Sequence, residues 1–428
     1  MKSILNNKDD LGIIKNSFDS GNGKILLVKD TLIIKDKKTF IIFSPFKRKI
    51  TRINELSFKD QNTFQKLVDK GFFGALPKTT NPDVSWNGFN SLTLLLTREC
   101  NLDCIYCYAS LEQRQKSEDS MTKDLALASV DWFVNQLKSN NIRVTFHGGG
   151  EPTLKKKLIK DVVQYTESIK GNKKTRYLIT TNGTTTRDFW DWMIENRVNI
   201  SVSMDGPPDI QDRNRPFAIT GFGSSKIVER NIKYLIAKNY PFSIRLTYSP
   251  VDDIVKVMKY FGDLGVKKIH LEPLFPHGRD YKKVKFGKSS GYKIYSPQGK
   301  ELLKDFFVAM DLARKYRIKI YNGHLINFTR GVGYFCGSAS SRSMTVTHDG
   351  FLTACLEVVD KNDLDKENFF IGRFDQKTKN FQVDFGKIKF LQKRHADLLS
   401  KCKECYARYH CAGGCAIKAV RFLFLMYI

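Results

Sequence analysis

Apolar and polar positions alternate over short distances in the first 88 residues. Lys24-Ile-Leu-Leu-Val-Lys-Asp, Thr31-Leu-Ile-Ile-Lys and Phe40-Ile-Ile-Phe-Ser read as strands, and a helical pattern runs from about Lys59 to Lys70, ending at Gly71. Turn residues in Asn81-Pro-Asp-Val-Ser-Trp-Asn-Gly-Phe mark a linker. From about residue 90 the pattern changes. Strands are predicted at Ser91–Thr97, Ile142–Phe146, Tyr177–Thr181, Asn199–Met204, Phe242–Tyr248 and Lys268–Glu272. Helical periodicity fills the gaps near 122–139, 155–169, 186–196, 225–238 and 252–264, with one more helix at about 298–316. Alternation of this kind builds a parallel sheet with right-handed crossovers. The expected fold class is α/β, with three parts: a small α+β module at 1–88, a strand–helix core at 89–320, and a cysteine-rich region at 321–428.

Composition narrows this picture modestly. A hydrophobic content of 41% and an aromatic content of 12% belong to a folded globular protein. The net charge of +27 suits an acidic partner, but the basic residues lie in short scattered runs such as Lys155-Lys-Lys157. No dense basic arm with interleaved aromatics is present, so nucleic acid is not the expected partner. The N-terminal residues form no apolar stretch resembling a signal peptide, and no run of about 18 apolar residues could span a bilayer. The nine cysteines cluster at ligand-like spacings, which fits reduced thiolates in the cytoplasm.

The decisive chemistry lies in Arg98-Glu-Cys-Asn-Leu-Asp-Cys-Ile-Tyr-Cys-Tyr108. Cys100, Cys104 and Cys107 have the spacing C-x3-C-x2-C. Three thiolates in eight residues can hold an iron–sulfur cube that normally takes four, leaving one iron open. A zinc knuckle is the alternative, but zinc sites favour paired C-x2-C units. The triplet, with Tyr106 before its third cysteine, resembles the signature of radical S-adenosylmethionine enzymes. That resemblance implies a partial (β/α)6 TIM-like barrel and a [4Fe-4S] cluster whose open iron binds S-adenosylmethionine. Reductive cleavage of the cofactor would then give a 5′-deoxyadenosyl radical.

Further motifs follow the later strands, where a parallel barrel places its functional loops. His147-Gly-Gly-Gly-Glu-Pro-Thr153 resembles the family's Gly-Gly-Glu-Pro run, which implies a cofactor-binding role for Gly149, Gly150 and Glu151. Asn182 in Thr180-Thr-Asn-Gly183, Ser203 and Asp205 in Ser203-Met-Asp-Gly-Pro207, and Arg245 are candidates for the same cofactor, with Tyr106. Each of these polar residues could instead cap a helix or form a turn.

A second cysteine set lies near the C-terminus. Cys336, Gly350 and Cys355 are spaced C-x13-G-x4-C, and Cys402, Cys405, Cys411 and Cys415 are spaced C-x2-C-x5-C-x3-C. Together they resemble the SPASM extension, which binds two auxiliary clusters. By resemblance Cys336, Cys355 and Cys415 serve the first, and Cys402, Cys405 and Cys411 the second; a structural zinc site is the rival for the last group. The seventh SPASM cysteine does not follow Cys415 before Ile428, and the tail Arg421-Phe-Leu-Phe-Leu-Met-Tyr-Ile428 is apolar, as in a truncated or frame-shifted product. One auxiliary [4Fe-4S] cluster, or two with the second incomplete, is therefore expected.

The resemblance implies an enzyme that modifies a precursor peptide or protein, fed by an electron donor such as a flavodoxin or ferredoxin. Sulfatase-maturing relatives place an aspartate base directly after the cysteine aligned with Cys355. Here Leu356 stands there and Glu357 follows, so Glu357 is the candidate base and a change in a ribosomal peptide is the preferred reading. The N-terminal module resembles leader-peptide recognition elements, which bind by adding a strand to a sheet edge. An RNA-modifying radical enzyme, favoured by the basic charge, and a non-catalytic iron–sulfur scaffold are rival functional classes. The first lacks a recognisable RNA-binding motif, and the intact triplet with its Gly-Gly-Glu-Pro run argues against the second.

Overall fold

The computed structural model describes residues 14–19, 24–28, 31–36, 38–44, 49–72, 86–107, 120–249, 252–274, 299–321, 333–359, 361–363, 365–403, 405 and 408–421. Tyr108, residues 81–85 of the expected linker and the apolar tail 422–428 lie outside the described residues. The chain forms two compact units. One comprises 1–85, 323–340 and 389–428; the other comprises 86–322 and 341–388.

In the first unit, five antiparallel strands follow one another: β1 (Ile14–Asp19), β2 (Lys24–Val28), β3 (Thr31–Asp36), β4 (Thr39–Ser44) and β5 (Lys49–Asn54). Two helices follow, α1 (Glu55–Lys59) and α2 (Gln61–Asp69). The sequence pattern suggests one helix here. Asp60 divides it, because its carboxylate accepts the Thr63 N–H at 2.8 Å and caps α2. Ile33, Phe40, Ile42, Leu67 and Phe72 form the core between the sheet and α2.

The second unit is built on one sheet. Six strand–helix units run β6 (Ser91–Leu95), α3 (Lys123–Gln136), β7 (Asn141–His147), α4 (Lys156–Ile169), β8 (Lys174–Thr181), α5 (Arg187–Glu195) and β9 (Asn199–Ser203). They continue through α6 (Pro208–Asn214), α7 (Ser225–Ala237), β10 (Phe242–Tyr248), α8 (Ile254–Leu264), β11 (Lys268–Pro273), α9 (Gly299–Tyr316) and a seventh strand, β12 (Lys319–Tyr321). Each strand pairs in parallel with the next, from β6 to β12. This is the parallel sheet that the alternation predicts, and its strand order agrees with the partial barrel that the resemblance implies.

Beyond β6 the sheet continues into β13 (Ser343–Val346), β14 (Phe351–Thr353), β15 (Phe370–Asp375) and β16 (Asn380–Val383). β13 is parallel to β6, and the remaining pairs are antiparallel. The sequence reading ends the core at 320 and assigns these strands to a separate cysteine-rich region. They are three to six residues long, too short for periodicity to reveal.

The two faces of the parallel sheet differ. Along β10, Ile244, Leu246 and Tyr248 are buried, while Ser243, Arg245 and Thr247 are only half-buried. The same alternation appears in β9 and β11. Parallel sheets covered on both faces read as continuous apolar runs. Here one face is sealed by helices that bury Val228, Ile232 and Leu235 of α7 and Val257, Met258 and Phe261 of α8. The other carries Ser, Thr, His, Arg and Glu side chains, as expected of a barrel wall that receives a polar ligand.

A radical SAM site at the strand ends

The loop after β6 carries the cysteine triplet, and backbone bonds tie it to the segment after α6. Asp103 N–H donates to the Pro216 carbonyl at 2.8 Å and Ile105 N–H to the Asn214 carbonyl at 3.0 Å. Cys107 N–H donates to the Cys104 carbonyl at 3.0 Å, closing the C-x2-C turn. Cys104 is buried, whereas Cys100 and Cys107 are partly accessible.

Asp205 organises this region from the end of β9. It is fully buried, and Arg215 holds it from two sides: Nε to Oδ2 at 3.0 Å and Nη2 to Oδ1 at 3.1 Å. Tyr106 donates its hydroxyl to the same carboxylate, as do Asn214 Nδ2 at 3.3 Å and Thr247 N–H at 3.1 Å. Gly206 follows at φ 145°, a backbone conformation open to glycine, and lets the chain turn sharply into α6. Burial opposes the charge on Arg215, but Asp205, Tyr106 and Cys104 outweigh it and keep the guanidinium protonated. Both carboxylate oxygens are thus engaged by protein. Asp205 thereby fixes Tyr106 and aims Arg215 at the cysteine loop.

Two side chains reach toward the sulfurs. Arg215 Nη1 lies 3.9 Å from Cys104 Sγ, and Asn182 Nδ2 lies 4.0 Å from Cys100 Sγ. Asn182 also donates to Asn101 Oδ1 at 2.8 Å, which orients it. Arg215 is the residue that sequence reasoning missed. Its signal is an arginine one short helix beyond an Asp-Gly-Pro turn, but the pairing is visible only once α6 folds back.

The glycine run packs on the same loop. Gly150 N–H donates to the Thr97 carbonyl at 3.0 Å, and Glu151 N–H to the Glu99 carbonyl at 2.7 Å. A Cβ on Gly150 would lie 1.9 Å from the Glu99 carbonyl oxygen, inside backbone that cannot move without shifting Cys100. Gly150→Ala is therefore expected to lower the iron bound after anaerobic reconstitution, with the N-terminal unit still folded by circular dichroism. Glu151 turns inward. Its Oε1 accepts from Thr153 N–H at 3.0 Å and from Thr181 Oγ1 at 2.7 Å, and its Oε2 accepts from Asn182 N–H at 2.6 Å. Burial raises its pKa and these hydrogen bonds oppose the rise. Glu151 thus braces the turn that presents Asn182.

Ser203 and Arg245 are register neighbours on β9 and β10, half-buried on the polar face. Neither side chain makes a hydrogen bond or ion pair among the described residues. Of the predicted cofactor contacts, these two keep their polar atoms available. Burial, and then the charge of Arg245, hold His147 down at about 4. A native state that resists this proton is fully stable above the ordinary histidine value of about 6.5 and weakens as pH falls from there toward 4. His147→Gln should flatten that part of the urea-midpoint profile, by at most ~3 kcal/mol for a half-buried ring.

Cys355 lies in the same unit, and the turn after it holds the half-buried Glu357. A Cβ on Gly149 would touch Val359 at 3.4 Å, so this turn borders the glycine run. Cys336, Cys402, Cys405, Cys411 and Cys415 belong to the other unit. There, burial and then Cys405 raise the pKa values of both Cys402 and Cys411. These three thiols therefore lie within electrostatic reach of one another.

The triplet suits a cluster. Cys104 is pushed up to about 12, chiefly by burial and further by Cys107 and Cys100. Such crowded, desolvated thiols lose their protons readily only to a metal. Among the described residues no three His, Cys, Asp or Glu side chains converge on a single ion, whereas a cube would place each sulfur on a separate iron.

Residues 94–278 match the model of the Radical SAM superfamily. This chain carries a radical SAM domain. An uncharacterized protein of Methanocaldococcus jannaschii is 30% identical over 46% of the chain, which spans 66% of that relative's length. A cysteine-type anaerobic sulfatase-maturating enzyme of Clostridium perfringens is 28% identical over 74% of the chain and 85% of its own length. The solved structure of native anSMEcpe with bound AdoMet and Cp18Cys peptide shares the fold, with a TM-score of 0.59 and 21% identity over 77% of this chain and 89% of that one. The radical SAM domain makes this an enzyme that uses S-adenosylmethionine and a [4Fe-4S] cluster. Among the described residues no helix is long and apolar enough to cross a membrane.

Proposed function

We infer that this radical SAM enzyme modifies a side chain of a ribosomally made peptide or protein. The observation that carries the reading is the polar, half-buried sheet face at whose rim the cysteine loop is fixed. Cys100, Cys104 and Cys107 would hold the cluster; Gly149, Gly150, Asn182, Ser203 and Arg245 would border the cofactor. When bound, this pair supplies a 5′-deoxyadenosyl radical that removes hydrogen from an unactivated carbon. The chain's own work is to orient the substrate, exclude water and accept a proton, with Glu357 as the candidate base.

Auxiliary clusters belong to the same reading. Cys336 and Cys415 would serve one, and Cys402, Cys405 and Cys411 the other, all within one unit. Reducing equivalents would come from a flavodoxin or ferredoxin. The shared spacing with SPASM enzymes supports this, and the mutual pKa effects among Cys402, Cys405 and Cys411 support their grouping.

Formylglycine formation is the second reading, favoured by the similarity to the sulfatase-maturating enzyme across 85% of its length. The replacement of its aspartate base position by Leu356 speaks for the first. The test is to give the reconstituted enzyme a sulfatase-type cysteine peptide and, separately, any short precursor peptide encoded beside its gene. Expected is 5′-deoxyadenosine formation coupled to a mass loss of two hydrogens in the precursor only. Conversion of the sulfatase peptide's cysteine to an aldehyde would establish the second reading instead.

A further inference from the structure

Large apolar side chains on a soluble surface call for a partner when they cluster at a functional rim. Ile219 is 97% exposed and Phe222 is 74% exposed, both on the turn that follows Arg215. This turn is a formed structure. Phe217 N–H donates to the Phe222 carbonyl at 2.8 Å and Gly221 N–H to the Phe217 carbonyl at 2.9 Å. Its base is bonded to the cysteine loop itself: Ala218 N–H donates to the Asn101 carbonyl at 3.0 Å, and Leu102 bridges to Phe217. Ile219 therefore stands one residue from a direct backbone bond to the stretch between Cys100 and Cys104.

The charge beside it is positive. α7 opens just past the turn and exposes Lys226 and Arg230, one helical turn apart, with no ion pair among the described residues. Of the nearby acids, Asp209 is paired with Lys256 and Glu229 with Lys233, while Asp212 accepts from Ser225. An apolar knob beside unpaired cations favours an acidic protein, whose encounter such charges accelerate. Electron-transfer complexes use small interfaces, below about 1,200 Å².

We propose that the 217–222 turn, with Lys226 and Arg230, is the docking surface for an acidic one-electron carrier protein. The proposal rests on the radical reading of the site. Each turnover oxidises the carrier by one electron, and that electron breaks the sulfonium C5′–S bond to give methionine and the 5′-deoxyadenosyl radical.

The test compares two reductants on the reconstituted full chain: dithionite, which needs no docking, and a reduced flavodoxin of net negative charge. Ile219→Ser/Phe222→Ser and Lys226→Glu/Arg230→Glu are the variants. In each, flavodoxin-driven 5′-deoxyadenosine formation should fall by about tenfold or more while the dithionite-driven rate is unchanged. Calorimetric affinity for flavodoxin should fall in parallel, and in the charge variant its dependence on salt should flatten. Unchanged flavodoxin rates and affinity would overturn the proposal, as would equal losses with both reductants. So would lost affinity for a precursor peptide with the flavodoxin response intact, which would make the turn a substrate contact. A wild-type chain that cleaves nothing with dithionite refutes the radical reading instead, and the calorimetry still decides the surface.

Discussion

Alanine at Cys100, Cys104 and Cys107 together reduces S-adenosylmethionine cleavage to the level seen without enzyme, while the iron proposed for the C-terminal cysteines stays. The three sulfurs sit on one loop bonded to the 214–216 segment. Asn182→Ala is the graded counterpart. Its amide approaches Cys100 Sγ without being a ligand, and loss of such a supporting contact costs about 10–100-fold in metal affinity or activity. Iron and sulfide assays with 5′-deoxyadenosine chromatography measure both. Continued cleavage by the triple variant would remove the triplet from the chemistry.

Asp205→Ala carries the largest expected loss of stability. It leaves the Arg215 guanidinium buried without its partner and strips acceptors from Tyr106, Asn214 and Thr247. Breaking one side of a buried ion pair costs about 3–5 kcal/mol. A drop of that size in the urea midpoint of the sheet unit, with reduced iron loading, is expected. The conservative Arg215→Lys variant should lose iron as well, because an ammonium cannot bond both carboxylate oxygens and reach Cys104 at once. Cofactor affinity lost without any change in stability would make Asp205 a direct cofactor contact.

The contrast between Asp205 and Arg245 shows what the sequence could and could not convey. Motif and strand position placed both at the rim, and the β10 boundaries predicted from alternation, Phe242–Tyr248, are those observed. Motif alone could not say which polar side chain spends its hydrogen bonds inside the protein. Glu151 and Asp205 accept from residues 2 to 42 positions away, contacts that depend on how strands and helices return to one rim. Strands β12 to β16 escaped for a different reason. Three to six residues with mixed burial carry too little periodicity, and their identity comes from pairing with a neighbour already in place.

That pairing has a consequence for how the molecule can be divided. Ser343–Val346 lies in register on Ser91–Leu94, so the strand that launches the cysteine loop is an interior strand only while residues some 250 positions later are present. A fragment ending near 320, where sequence alone would cut, bares one edge of β6 from Ser91 to Leu94 and invites edge-to-edge association. The catalytic half of the gene is thus not severable from the part that follows it.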